Sequence, residues 1–194
     1  MRFVILLTFG ALLAPGYALA ESPPDYVTRV DRAFVPVKGV ERLAVMPIAC
    51  PSTLDCGKFT AQVTKGFSHG TKMATTMATW IKQVMEKAGI DKLDFETGQI
   101  LAEALAVDAF AVVDIEQASM DVVGQKNISL YGKETVVERP SVKHVRMHLK
   151  IVGKDGADLL KASGEGQVQG MFDSLDEVAV KTFDITMEKA LAKN

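Results

Sequence analysis

Residues 98–116, GQILAEALAVDAFAVVDIE, decide the fold because they predict a helix that leads straight into a buried strand. The apolar residues of this helix recur at the spacing that 3.6 residues per turn gives to one face; they are Ile100, Leu101, Ala104 and Leu105. After a tight joint at Val107 and Asp108, the run 109–113, AFAVV, is continuously apolar and ends in two β-branched residues. Such a run is typical of a strand that is covered on both faces. A helix joined in this way to a central strand predicts an α/β layer.

Patterning on both sides of this stretch predicts the element order β-α-(β)-α-β-β-β-β-α. The fold class is therefore α/β, with a mixed sheet of about five to six strands and helices packed against it. The first strand is 42–48, RLAVMPI, which ends near a proline that cannot donate to a strand ladder. A short crossing at 90–95 has room for one brief strand, and Asp94 is a candidate cap for the helix that follows.

Residues 71–88 predict the clearest helix of the chain, with Thr71 as its cap and Gly89 as a left-handed stop. Its buried stripe is expected to consist of Met73, Met77, Trp80, Ile81, Val84 and Ala88. The preceding segment 66–70, GFSHG, has a glycine at each end and predicts a flexible connector. Its glycine spacing does not match that of a phosphate-binding loop.

The second half of the chain predicts strands and then a final helix. Segments 128–138 and 142–152 both show strand patterning, and Pro140 separates them. The segment 153–156, GKDG, is a turn by composition, so it joins 142–152 to a further strand at 157–168 in a hairpin.

The last helix begins with a capping box, because Ser174 and Glu177 have the S-x-x-E form in which two side chains satisfy each other's backbone donors. One face of this helix is expected to be buried; it carries Ala179, Val180, Phe183, Met187, Ala190 and Leu191.

Residues 1–20 have the parts of a secretory signal peptide: a positive start at Arg2, an apolar core at 3–13, and small residues before a cleavage site after Ala20. The apolar core is little more than half of the length that a transmembrane helix needs. Its removal predicts a periplasmic protein, and the absence of a cysteine at the cleavage site predicts a chain without a lipid anchor. The expected organisation is a signal peptide at 1–20, an extended N-terminal arm at 21–40 and a single α/β domain at 41–194.

Cys50 and Cys56 are the two cysteines of the chain. In an exported protein, an even and closely spaced pair predicts a disulfide. Catalytic dithiols usually lie two residues apart at a helix start, where the thiolate is stabilised. Five residues separate this pair, and no helix start is predicted beside it. We therefore interpret the pair as a structural disulfide, with a redox pair as the alternative.

His144, Arg146, His148 and Lys150 alternate with apolar residues in the segment SVKHVRMHLKIV. This period of two indicates a strand, on which positions four apart lie about 13 Å from each other. That distance is too long for the two histidines to hold one zinc ion. We interpret the four residues as a solvent-facing basic patch that gains positive charge in mildly acidic solution, because histidine titrates between pH 5 and 8.

The remaining candidates for chemistry are few. Asp114 and Glu116 share one face of the central strand and are interpreted as its solvated end. No nucleophile elbow, Walker-type loop or dinucleotide-binding fingerprint occurs in the sequence. A net charge of −2 is too acidic for a nucleic-acid binder. No catalytic residue, cofactor or metal site is predicted.

Three segments resemble a superfamily of bacterial envelope proteins. They are 42–47, RLAVMP, which is similar to its first strand; 100–115, which is similar to its helix-strand joint; and 145–156, which is similar to a later strand and turn. This superfamily includes the curli-secretion lipoprotein CsgG, the penicillin-binding-protein activator LpoB and the N-terminal domain of TolB. The resemblance implies an α/β fold and no shared catalytic residues. Without a lipidation cysteine or barrel-forming segments, it implies a non-lipidated member and no pore.

The sequence and this resemblance predict a non-enzymatic periplasmic protein that binds another envelope component, in the assembly or regulation of a cell-surface structure or wall synthase. A second hypothesis is a binder of a small anionic ligand through the basic strand face. A third is a thiol oxidoreductase that uses Cys50 and Cys56.

Overall fold

The computed structural model describes residues 24–76, 78–91, 95–122, 125–130, 133–138, 141–170 and 173–191. In chain order its elements are β1 (Asp25–Arg32), β2 (Arg42–Val45), α1 (Cys56–Thr71), β3 (Ala74–Thr76), α2 (Ala78–Ala88), α3 (Phe95–Leu105), β4 (Ala109–Val122), β5 (Gln125–Leu130), β6 (Lys133–Glu138), β7 (Ser141–Gly153), β8 (Asp158–Gly170) and α4 (Leu175–Leu191). The signal peptide predicted at 1–20 and the cap predicted at Asp94 lie outside these described residues.

A six-stranded sheet has the order β1-β8-β7-β4-β2-β3. β2 runs parallel to β3 and β4, whereas β4, β7, β8 and β1 pair antiparallel in turn. The predicted α/β class with a mixed sheet of five to six strands is thus confirmed. β5 and β6 form a separate two-stranded sheet. The single strand expected over 128–138 is wrong, because the chain reverses within it to make this hairpin.

The predicted helix-strand joint is confirmed as α3 followed by β4, but the expected buried face of the helix is wrong by about one position. Leu101 and Ala102 are buried, whereas Ile100 is 50% exposed. α3 packs beside α2 over one end of the sheet, so only a narrow stripe of it is covered. The helix ends in a Schellman motif, in which Val107 N–H donates to the Ala102 carbonyl at 3.0 Å. Ala106 takes the left-handed position of that motif, with φ of 51°.

Asp108 ties the joint to the first parallel strand. Its Oδ2 accepts the backbone N–H groups of Glu41 at 3.0 Å and Arg42 at 3.1 Å. Its own N–H donates to the Arg42 carbonyl at 2.9 Å, and its carbonyl accepts from Lys154 N–H at 2.9 Å. The hydrogen bond from Glu41, followed by that from Arg42, outweighs desolvation and lowers the pKa of the Asp108 carboxyl. One residue therefore connects β2, β4 and the turn between β7 and β8.

The main core lies between one face of the sheet and the helices α1 and α4. Phe183 of α4 stands edge-on to Phe67 and Phe59 of α1, with ring centroids 5.5 Å and 6.4 Å away. Any Cβ at Gly66 would meet the Phe183 ring, and one at Gly70 would meet Leu191. These glycines allow the two helices to approach closely.

Two expectations around α1 and α2 are wrong. The segment 66–70 is not a connector, because it lies within α1. Its two glycines face α4. The single helix expected over 71–88 with Thr71 as its cap is wrong: Thr71 is the last residue of α1, Lys72 takes a left-handed conformation with φ of 60°, and β3 and α2 follow. Within α2, Ile81 is buried but Trp80 is 54% exposed. Gly89 is the left-handed stop that was predicted, with φ of 66°.

Two local predictions in the second half of the chain are confirmed. β7 and β8 form the expected hairpin around a turn at 154–156. Ser174 and Glu177 form the predicted capping box, with Ser174 N–H donating to Glu177 Oε2 at 2.8 Å and Glu177 N–H donating to Ser174 Oγ at 3.2 Å. The buried face of α4 also includes Thr182 and Thr186, whose hydroxyls donate to carbonyls four residues back in the helix.

Replacing Asp108 with Ala should lower the free energy of unfolding by about 1–3 kcal/mol, because two backbone donors lose a charged acceptor. Urea denaturation measures this difference. The matched control is Asp114→Ala, which removes an exposed carboxylate from the same strand and should change stability by about 0.5 kcal/mol or less. Equal effects of the two substitutions would contradict the role given to Asp108.

Candidate functional site: a charged network on the open sheet face

The sheet has one face that is covered along its length and one that is not. α1 and α4 cover the first, while α2 and α3 cover only the part of the second near β2 and the start of β4. We call the rest of the second face, formed by outward side chains of β1, β8, β7 and β4, the open face. In the part of the chain that the structure describes, no helix lies on it.

The four predicted patch residues all project from β7 on the open face. The strand alternates as expected, with Val145, Met147, Leu149 and Ile151 buried on the opposite side. His144 and His148 point the same way and contact different residues. Among the described residues, no group of three or more His, Cys, Asp or Glu side chains is placed to hold a metal ion.

Glu165 of β8 and Glu116 of β4 join three of these residues into one network. His144 Nε2 lies 2.7 Å from Glu165 Oε1, and Arg146 Nη2 donates to Glu165 Oε2 at 3.2 Å. On the other side, Arg146 Nη1 is 3.6 Å from Glu116 Oε1, and His148 Nε2 is 3.2 Å from Glu116 Oε2. Each carboxylate is thus held between a histidine and the shared guanidinium of Arg146.

The electrostatics of the network differ from those of a basic patch. The hydrogen bond from His144, with the nearby charge and hydrogen bonds of Arg146, lowers the pKa of Glu165 below its ordinary value despite some desolvation. Lys150 at the end of the row pairs with Asp158 at 2.9 Å. All four basic residues therefore face a carboxylate, and the patch carries little surplus positive charge.

Sequence reasoning found the basic half of this network and missed the acidic half. Glu165 stands opposite Arg146 in the β7–β8 register, but that register shifts between Ile151 and Val152, so counting outward from the predicted turn would not have paired them. Glu116 had been interpreted as the end of a strand, and that is wrong because β4 continues to Val122. The β4–β7 register shifts between Ile115 and Gln117, so Glu116 lies in a bulge. Bulges redirect side chains, and no sequence signal marked this one.

Cys50 and Cys56 are joined in the predicted disulfide. The expectation that no helix begins beside them is wrong. α1 begins at Cys56, and the Asp55 side chain caps it by accepting the Lys58 N–H at 3.2 Å. That hydrogen bond is the main cause that lowers the pKa of Asp55. The two cysteine sulfur atoms are bonded to each other, and the sequence contains no third cysteine.

Comparisons with known proteins concern the fold. No protein-family model and no curated protein matches the sequence. The chain is similar to the solved structure of a PelC dodecamer from Paraburkholderia phytofirmans, at 12% identity and a TM-score of 0.51, with 88% of this chain and 100% of that chain covered. This likeness supports the α/β fold and by itself assigns no function.

Two further solved structures are similar at lower scores. They are lipoprotein GNA1162 from Neisseria meningitidis (13% identity, TM-score 0.45, 77% of this chain and 96% of that chain) and the LpoB C-terminal domain from Salmonella enterica (15% identity, TM-score 0.38, 69% and 85%). No helix among the described residues has the length and apolar character to cross a membrane.

The Glu165 carboxyl should titrate below the ordinary glutamate pKa of about 4.3. Because its folded pKa is depressed, its pairing with His144 and Arg146 stabilises the fold above that pH and is lost as pH falls through the lower folded pKa. Side-chain carboxyl NMR across a pH titration measures the value directly. In His144→Gln the Glu165 pKa should move upward, since His144 makes the largest contribution. A Glu165 pKa at or above about 4.3 in the unsubstituted chain would contradict the network.

Proposed function

We propose that this protein is exported to the periplasm by a signal peptide cleaved after Ala20 and acts there, without catalysis, by binding another envelope protein. Its role would be the assembly or regulation of a cell-surface structure or wall synthase. The observation that carries this proposal is the open face, where a folded sheet presents an ordered row of paired charges to solvent. Complementary charges at such surfaces fix the choice and register of protein partners.

Two observations favour a protein partner over a small anion at this face. Each basic residue already faces a carboxylate, so an anion would have to displace Glu165 or Glu116. The depression lined by Val27, Arg146, His148 and Glu165 has a volume of about 180 Å³, which is below the 300–1,000 Å³ that is typical of small-molecule sites. The anion-binding hypothesis therefore has less support than the protein-binding one.

The comparison with PelC supports an assembling protein. That structure is a dodecamer, which shows that this fold can be built into a protein assembly. The superfamily resemblance seen in three segments of the sequence points in the same direction. We infer a non-lipidated member of this group of envelope proteins.

Affinity capture from periplasmic extract tests the proposal. The tagged chain should recover a reproducible envelope protein, identified by mass spectrometry. Arg146→Gln should reduce recovery about tenfold or more, because it removes the cation that both carboxylates share. The matched control Lys189→Gln removes a cation from the exposed side of α4 and should recover as much partner as the unsubstituted chain. Circular dichroism confirms that both variants fold.

Two outcomes would count against the proposal. If no reproducible partner is recovered, protein binding in the envelope is not supported. If a partner is recovered equally by Arg146→Gln and the unsubstituted chain, the open-face network is not its binding surface.

A further inference from the structure

We infer that the outer edge of β1 pairs antiparallel with β1 of a second copy of this chain, about a two-fold axis that passes beside Val27. This contact is independent of the open-face partner proposed above. It would join two six-stranded sheets edge to edge into one continuous sheet.

The outer edge of β1 is available for pairing. β1 is the first strand in the sheet order, and β8 is its neighbour on one side. Within the described ranges no strand occupies the other side. A strand edge of this kind presents a row of backbone N–H and C=O groups to which a second chain can add.

Exposed apolar side chains are concentrated in β1 and the segment that follows it. Seven large hydrophobic residues are exposed in the described part of the chain, and four of them lie within residues 27–37. They are Val27, Val30, Val35 and Val37, with exposed fractions from 36% to 68%. β1 itself is eight residues long, DYVTRVDR, and contains neither proline nor lysine. Natural edge strands commonly use those residues to prevent pairing.

The two-fold geometry restricts the register. An isologous contact uses the same surface of both copies, and directly opposite residues of an antiparallel pair project to the same face of the sheet. Because side chains alternate along a strand, residues that stand opposite each other must both be odd-numbered or both be even-numbered here. A register centred on Val27 places Val27 opposite its own counterpart and Asp25 opposite Arg29 of the second copy.

Charge complementarity favours this register over those centred on Thr28 and on Arg29. In the register centred on Val27, the two-fold axis generates the Asp25–Arg29 pair twice. Two opposite-charge contacts therefore flank a central valine pair on the open face of the sheet. A register centred on Thr28 would place Asp25 opposite Asp31 twice. One centred on Arg29 would place that cation opposite itself. Like charges directly opposite each other are destabilising. The Arg29 side chain contacts Asp31 of its own strand at 2.9 Å. Because it is 81% exposed, it can also reach a second copy.

Charge reversal tests the pairing, with sedimentation velocity of the full-length protein across a concentration series as the measurement. The unsubstituted chain should show a monomer–dimer equilibrium. Asp25→Arg and Arg29→Asp should each raise the dimer Kd about tenfold or more, because the two-fold turns both attractive pairs into repulsive ones. The double substitution should restore the Kd to within about threefold. Asp31→Asn is the matched control and should leave the dimer intact, since Asp31 lies opposite no residue of β1 in this register.

A second measurement locates the axis. Val27→Cys should cross-link to itself efficiently with a short bis-maleimide, because Cβ atoms opposite each other lie about 5 Å apart. Val35→Cys, which is exposed but outside the strand, should not. A monomer at every concentration, a dimer insensitive to the single reversals, a double variant as weak as the single ones, or equal cross-linking at both positions would overturn the inference. Loss of the captured envelope partner would not affect it.

Discussion

The Asp108 carboxylate is the contact on which the arrangement of the sheet depends. It accepts the N–H groups of Glu41 and Arg42 just where β2 begins, while its own backbone continues into β4. Parallel strands need a long crossover connection, and here that connection runs through α1, β3, α2 and α3 before the chain returns. Asp108 fixes the point of return. The backbone carbonyl of Asp108 accepts the Lys154 N–H, and this hydrogen bond also fixes the turn between β7 and β8.

How far the sequence predicts this structure depends on whether a feature is local. The Ser174–Glu177 box, the Gly89 stop and the alternation of β7 follow from short-range geometry, and all were predicted. Gly66 and Gly70 were interpreted as breakers because glycine disfavours helices; their role is to let α4 approach, which only tertiary structure reveals. The exposure of Ile100 and Trp80 has the same origin, since apolar spacing predicts a face but not which part of it the sheet covers.

The candidate site shows the same division. Period two placed His144, Arg146, His148 and Lys150 on one face, but their partners come from other strands. Glu165 arrives through hairpin register and Glu116 through a bulge, so the charge balance could not be computed from β7 alone. The close approach of α4 to the covered face, where Gly164 and Gly166 lie against Thr182 and Thr186, seals one side of the sheet. We propose that the other side is left free to bind the envelope partner, and this division of the two faces is our central claim.

Site-specific photo-cross-linking in intact cells tests that claim most directly. A photoreactive residue replaces Lys161 or Gln167, which are exposed on the open face, or Glu188, which is exposed on α4. The account predicts adducts with the same envelope protein from the two open-face positions and none from the α4 position, with self-adducts distinguished by mass. Adducts formed only from Glu188, or with equal yield from all three positions, would contradict the view that the open face is the binding surface.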